Sequence, residues 1–525
     1  MKKKLISNLA LGLILGGLLN LSAQAAEKKL WISLGDAAYK ELKQIAPDLL
    51  LAESRTFDSG TVGFASKEKV HLVQVNESAI HGLSGAIHNK LNRCGGFVEH
   101  ADEGQGRLAL ANASMGFAPT VASLAPSYTI DNQATVTPLL AQMQATNIGQ
   151  TIIDLSAIVN RYYTTAGGTT GSNLIKSKWQ ALANGHANVT VEQFTHAGWP
   201  QKSVILTIKG SDNASEIVVL GGHQDSINIG DRSETARAPG ADDDASGIAS
   251  LTEVIRVLTT SNYQPRRTLK FMAYAAEEVG LKGSAEIAKK FKADGANVVG
   301  VMQLDMTNYK GSSQDIYLYT DYTNSAQNTF SANLINTYQP GVTIGYDQCG
   351  YACSDHASWN AQGYATSMPF EATMTQDNKQ IHTAGDTYAY TGSTATQSLK
   401  FARLAASFAV ELGSDGPGLP PATTVLTSGV SLSVPALATN ASKVYSIAVP
   451  AGKTKLTFKL SGGSGDGDIY SKFATIPTTA SYEMKSDGST NAETITITSP
   501  KAGTYYLLLN SYSSVSGATI VATVQ

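Results

Sequence analysis

IVVLGGHQDS (217–226) decides how this chain folds. Four consecutive aliphatic residues, two glycines and an imidazole read as a buried strand that ends in a turn and leaves His223 and Asp225 at its end. Working outward, the acidic triplet of PGADDDASG (239–247) is followed by Ile248, Leu251, Val254, Ile255 and Leu258. That spacing is helical. A second apolar run, 269–274, delivers Glu277 and Glu278; a glycine-broken helical stretch covers 281–291; a third apolar run, 298–304, delivers Asp305. Strands alternating with helices predict an α/β fold, a mainly parallel central sheet flanked by helices. Sheets of this kind bind ligands in crevices at the carboxyl ends of their strands. Polar residues from three strand ends are therefore expected on one rim.

The residue types on that rim suit metal chemistry. A ligating histidine commonly passes its second ring N–H to a carboxylate, as His223 can to Asp225. Such a pair on its own is more often structural. Asp242, Asp243 and Asp244 form a like-charged triplet that is costly unless cations or N–H donors compensate, and Asp242 or Asp244 suits the N-cap of the following helix. Glu277 and Glu278 are adjacent, so their side chains diverge and one can bind metal while the other stays free to move a proton. His382, in IHTAGDT (381–387), adds a second imidazole from a loop. Imidazole and carboxylate suit zinc, and also admit manganese or cobalt.

In chain order, GGHQDS (221–226), PGADDDASG, YAAEEVGLKGS (274–284), QLDMTNYKGS (303–312), CGYACSDHASW (349–359) and IHTAGDT closely resemble the secreted bacterial leucyl aminopeptidases, dizinc exopeptidases of metallopeptidase family twenty-eight. The resemblance covers residues 127–413 and implies a zinc exopeptidase type of fold. It also implies two Zn2+ per chain, one held by His223 and Asp305, the other by Glu278 and His382, with Asp243 shared. Glu277 becomes the general base, and Tyr351 a hydroxyl donor near the substrate carbonyl. Met306, Cys349, Cys353, Phe370 and Ile381 match positions that line an apolar side-chain pocket, which suits Leu. Tyr319, Met374 and Asp377 depart from the aliphatic and aromatic residues expected there, and Gln224 replaces an apolar neighbour of His223, so a smaller or more polar pocket is also open. The substrates implied are peptide and protein N-termini, and the chain is expected to act as a monomer.

Other chemistries fare worse. Glutaminyl cyclisation on the same scaffold generally uses one metal and an altered base region, whereas this ligand set is intact. A carboxypeptidase needs a cationic clamp, and no arginine stands near the motifs. A non-catalytic binding protein would be expected to have lost ligands. Neither G-x-S-x-G nor H-E-x-x-H occurs.

The length of 525 residues points to about three domains. A formal net charge of −3 without a basic patch beyond the N-terminus argues against nucleic acid and anionic membranes as partners. Lys2, Lys3 and Lys4, an apolar run and Ala23-Gln24-Ala25 read as a signal peptide (1–25), which predicts a secreted, extracellular protein with no membrane contact after cleavage. Three cysteines occur. In an exported chain Cys349 and Cys353 can close a small disulfide loop or remain reduced thiols, leaving Cys94 unpaired.

Residues 26–126 carry no readable chemistry and stand where a propeptide would, as an intramolecular inhibitor or folding aid; His71, His81, His88 and His100 lie within them. The Gly- and Pro-rich stretch GSDGPGLPPATT contains a linker (414–423). Beyond it, short β-branched and aromatic runs between turn residues predict a small all-β sandwich over 424–525. GDGDIY (465–470) and AGTYYLLLNSY (502–512) make that stretch resemble the bacterial pre-peptidase C-terminal domain.

Overall fold

The computed structural model describes residues 27–57, 68–91, 96–100, 102–114, 128–414, 423–439, 441–477, 479 and 481–525. The expected signal segment, Cys94, the side chains of His81 and His88, and most of the linker lie outside the described residues.

The N-terminal segment, opaque in sequence, is a folded α/β body. Strands Lys29–Gly35 (β1), Leu50–Phe57 (β2), Glu68–Asn76 (β3) and Phe97–His100 (β4) form an antiparallel sheet in the order β2-β3-β1-β4. Helices Asp36–Ile45 (α1), Glu77–Ala86 (α2) and Glu103–Ser114 (α3) accompany it. Alternate residues of β1, Leu30, Ile32 and Leu34, enter a core with Leu42 of α1 and Leu83 of α2, as a period of two requires. His71 bonds Ser54 and Asp36, and His100 bonds Ser33, so both serve the packing of this body.

Helices Gln133–Ala141 (α4), Ala145–Ser156 (α5) and Ala166–Ala183 (α6) lead into the central sheet of Val189–Phe194 (β5), Ser203–Ile208 (β6), Asn213–His223 (β7), Arg267–Tyr274 (β8), Asn297–Gln303 (β9) and the short Thr366–Ser367. The order is Thr366–Ser367, β9, β7, β8, β6, β5. The three pairings among the short strand, β9, β7 and β8 are parallel, while β8–β6 and β6–β5 are antiparallel. The sheet is thus mixed, with parallel pairing concentrated where the candidate ligands emerge.

Both faces of this sheet are covered. Val218 and Leu220 pack on one side with helices α5, Ala245–Thr260 (α7), Ser325–Tyr338 and Thr396–Ser414, whereas Val219 faces Ile287 and Ala288 of Lys282–Ala293 and Trp359. That double burial explains why β7 reads as a continuous apolar run rather than an alternating one. Helix α7 begins where Asp244 accepts the Gly247 N–H at 2.8 Å, so Asp244 is the N-cap. After Thr396–Ser414, the described residues between Thr424 and Val524 contain nine strands, in sheets of five and four, enclosing a core of Tyr445, Phe458, Leu507 and Ile520. Among the described residues no helix is long and apolar enough to cross a membrane.

Candidate metal centre and substrate recess

Parallel register places the site. His223 of β7 stands opposite Tyr274 of β8, and Gly221 opposite Gln303 of β9. The next residues along these strands are therefore neighbours at one sheet edge: His223, the turn carrying Glu277 and Glu278, and Asp305. Close approach is enforced by Gly222, where a Cβ would lie 2.9 Å from both an Asp244 carboxylate oxygen and the Leu304 carbonyl.

Two donor groups result. One nitrogen or oxygen from each of His223, Asp243 and Asp305 lies within 4.8 Å of the others, and the same holds for Asp243, Glu278 and His382. All five side chains are buried. His223 Nε2 is 2.9 Å from one Asp243 oxygen and 3.5 Å from Asp305; His382 Nε2 is 3.0 Å from the other Asp243 oxygen and 3.3 Å from Glu278. Asp243 therefore presents one oxygen to each imidazole. Asp225 lies 3.6 Å from His223 Nδ1, on the ring side away from the cluster.

The electrostatics fit a pair of cations. Burial alone would depress both imidazoles, yet Asp305 and Glu277 raise His223 well above its ordinary value, and Glu278 and Asp243 push His382 up to about 10. Burial raises Glu277 well above the usual carboxylate range and also raises Asp305. The carboxylates gathered here thus lack enough positive charge to ionise together in a dry site, which metal ions would supply.

The acidic triplet divides its work. Besides capping α7, Asp244 accepts the His223 and Met306 N–H groups. Asp242 accepts the Asn308 N–H at 2.9 Å and an N–H of the Asn378 amide at 3.0 Å. Asp243 alone faces both imidazoles. Its own N–H and that of Asp242 are held by Asp386.

Asp225 does more than the sequence indicated. Its two oxygens accept the backbone N–H groups of Glu277 at 3.0 Å and Glu278 at 3.2 Å, so the carboxylate that lies beside His223 pins the glutamate pair. Both Glu277 oxygens are buried and have no hydrogen-bond partner among the described residues. Buried Arg161 donates to the carbonyls of Gln224, Pro239 and Gly240 and ties the His223 loop to the triplet loop. Neither Arg161 nor Asp386 was singled out from sequence. Asp386 lies inside the quoted IHTAGDT string, while Arg161 stands in no motif.

Cys349 and Cys353 form a disulfide with Cα atoms 6.1 Å apart. Its loop is held by Asp321, which accepts the Cys349 and Gly350 N–H groups. Tyr351 within the loop is buried, and it lines a recess with Asp305, Met306, Tyr319, Met368 and Phe370. Met374, Asp377, Ile381 and the two cysteines complete the wall. All the residues expected in the pocket are therefore brought together, next to the Asp305 end of the cluster.

Residues 203–407 match Peptidase family M28. A probable leucine aminopeptidase of Arthroderma otae is 35% identical over 289 residues, which is 54% of this chain and 77% of the relative. The chain belongs to peptidase family M28. It is thus a hydrolase of peptide bonds. Leucine aminopeptidase 1 of Aspergillus niger is 36% identical over 318 residues, covering 57% of this chain and 78% of that one. Among solved structures, the LapA aminopeptidase of Legionella pneumophila aligns with a TM-score of 0.60 at 27% identity, covering 75% of this chain and all (100%) of LapA. Residues 441–511 match the bacterial pre-peptidase C-terminal domain, in agreement with the two β-sheets there.

Proposed function

We propose that this M28 peptidase is a secreted dizinc aminopeptidase that removes Leu and similar apolar residues from the N-termini of peptides and proteins. The observation that carries the reading is the pair of buried donor groups sharing Asp243, with the Glu277 carboxylate uncommitted beside them. The leucine aminopeptidases among its relatives support the same substrate class. Two zinc ions, one held by His223 and Asp305, the other by Glu278 and His382, with Asp243 shared, would polarise the scissile carbonyl and supply a water acidic enough to deprotonate near neutral pH. Glu277 takes the proton of the attacking water and returns it to the leaving amine. Asp225 keeps Glu277 on the rim by accepting its backbone N–H. Tyr351 donates its hydroxyl to the carbonyl oxygen as charge develops there.

The domain plan we propose is signal peptide 1–25, propeptide 26–126, peptidase 127–413, linker 414–423 and C-terminal sandwich 424–525, in a monomer. An inhibitory propeptide is favoured by where the N-terminal body rests. Ser84 Oγ donates to the Glu278 carbonyl at 3.3 Å, the Gly96 N–H donates to the Ala352 carbonyl at 3.2 Å, and Val98 packs with Leu281, Ala352 and Ala357. The body thus grips both the glutamate turn and the disulfide loop that carries Tyr351.

The test is hydrolysis of leucyl p-nitroanilide by the processed protein, wild type and Glu277→Gln, with zinc content measured in parallel. The expected result is about two zincs in both proteins and a loss of roughly 10²- to 10⁴-fold in kcat for the variant. A zinc-loaded wild type that is inactive on aminoacyl anilides would sink the reading.

A further inference from the structure

The recess holds one charge that a pocket for leucine does not need. Its walls are apolar, with Met306, Met368, Met374, Phe370 and Ile381, yet Asp377 lies among them with a side chain only 2% exposed. The neighbouring carboxylates are committed to the backbone: Asp321 to the Cys349 and Gly350 N–H groups, and Asp347 to the Met374 N–H at 2.8 Å. Asp377 instead pairs with Lys379, two residues along the same loop, whose side chain remains 48% exposed. A buried carboxylate with a half-solvated counter-ion is expensive to keep unless its charge is used. The recess is also electronegative: burial, followed by the fields of Asp347, Asp377 and Asp321, holds the Tyr319 phenol well above its ordinary pKa.

These features match a ligand with an apolar stem and a cationic tip. Lysine and arginine side chains lay their methylenes along apolar surface while the head seeks charge or water, and methionines adapt to unbranched stems of different length. We propose that the recess accepts an N-terminal Lys or Arg side chain as well as Leu, the substrate's cation replacing Lys379 on Asp377. Lys379 already reaches solvent, so its release costs little. The charge count inside the recess is unchanged by the exchange. This inference rests on the aminopeptidase reading above and names a further substrate class for it.

The experiment measures kcat/KM of the zinc-loaded protein on leucyl, lysyl and arginyl p-nitroanilides for wild type, Asp377→Asn and Lys379→Ala. The wild-type ratio of lysyl to leucyl turnover is expected within about tenfold of one. Asp377→Asn should lower that ratio by about tenfold or more, the order expected when a buried ionic partner is lost. Lys379→Ala, at a half-exposed position, should raise it about threefold or more, because the competing ammonium is gone. Leucyl turnover with a wild-type lysyl ratio below about one in a thousand, or ratios unmoved in both variants, would overturn the proposal and leave the aminopeptidase standing. Inactivity on all three anilides would bring both down together.

Discussion

The two halves of the site are held by different means. His223, Glu277, Glu278 and Asp305 hang from the ends of hydrogen-bonded parallel strands, where Gly221 pairs with Gln303 and His223 with Tyr274. Tyr351, Ile381, His382 and most of the recess hang from loops, fixed by single carboxylates such as Asp321 and by one disulfide. Three of the five candidate donors, His223, Glu278 and Asp305, are tied to the sheet, whereas the recess is carried largely by segments that can be exchanged without rebuilding it. The strand-borne donors and most of the recess are thus held independently.

Asp243 should break that separation, because it faces both halves. Asp243→Asn is expected to lose metal from both groups and to fall to background activity, read by zinc analysis and anilide turnover; retention of two zincs with appreciable activity would contradict a shared ligand. Asp225 sharpens it from the sheet side. Asp225→Asn should cost about 10- to 100-fold in zinc affinity or activity, and restored activity at excess zinc would show the loss to be one of affinity alone.

The loop side carries a pH signature. In the metal-free protein Glu278 and Asp243 overcome burial and raise His382 from 6.5 to about 10. Its imidazolium contact therefore stabilises the metal-free fold fully below about pH 6.5, a contribution lost as the pH rises through about 10. Zinc bound at His382, as proposed, would have to displace that proton, so apparent affinity should fall as the pH is lowered below 10, by about tenfold per unit for each proton released. Calorimetric titration in buffers of different ionisation enthalpy would count the protons, and none released would contradict the assignment of His382. The smallest effect is expected at the disulfide. Its sequence separation is only four residues, so Cys353→Ser should alter KM a few-fold with zinc content unchanged.

Legibility follows the same division. An apolar run ending in polar residues marks a buried strand and the side chains it delivers, so the convergence of His223, the glutamate pair and Asp305 could be read directly. Arg161 could not, because three of its four guanidinium partners are carbonyl oxygens more than sixty residues away and every residue type offers a carbonyl. The antiparallel edge of the central sheet was also missed. Helical alternation shows only where parallel strands must be connected, while β5 and β6 pair as direct neighbours. The N-terminal body escaped because β3 feeds two cores, Leu72 one and Val73 and Val75 another, so its run shows neither clean alternation nor an unbroken apolar stretch.

Asp225 sets a rule for how this site can decay. The same side chain lies beside the His223 ring and accepts the amides of Glu277 and Glu278. Loss of the Glu277 side chain would leave the surrounding scaffold in place, whereas loss of Asp225 would free the backbone of both glutamates at once. In duplicated copies of this gene, catalytic loss should therefore be found first at Glu277, with Asp225 persisting as the last trace of the ancestral chemistry.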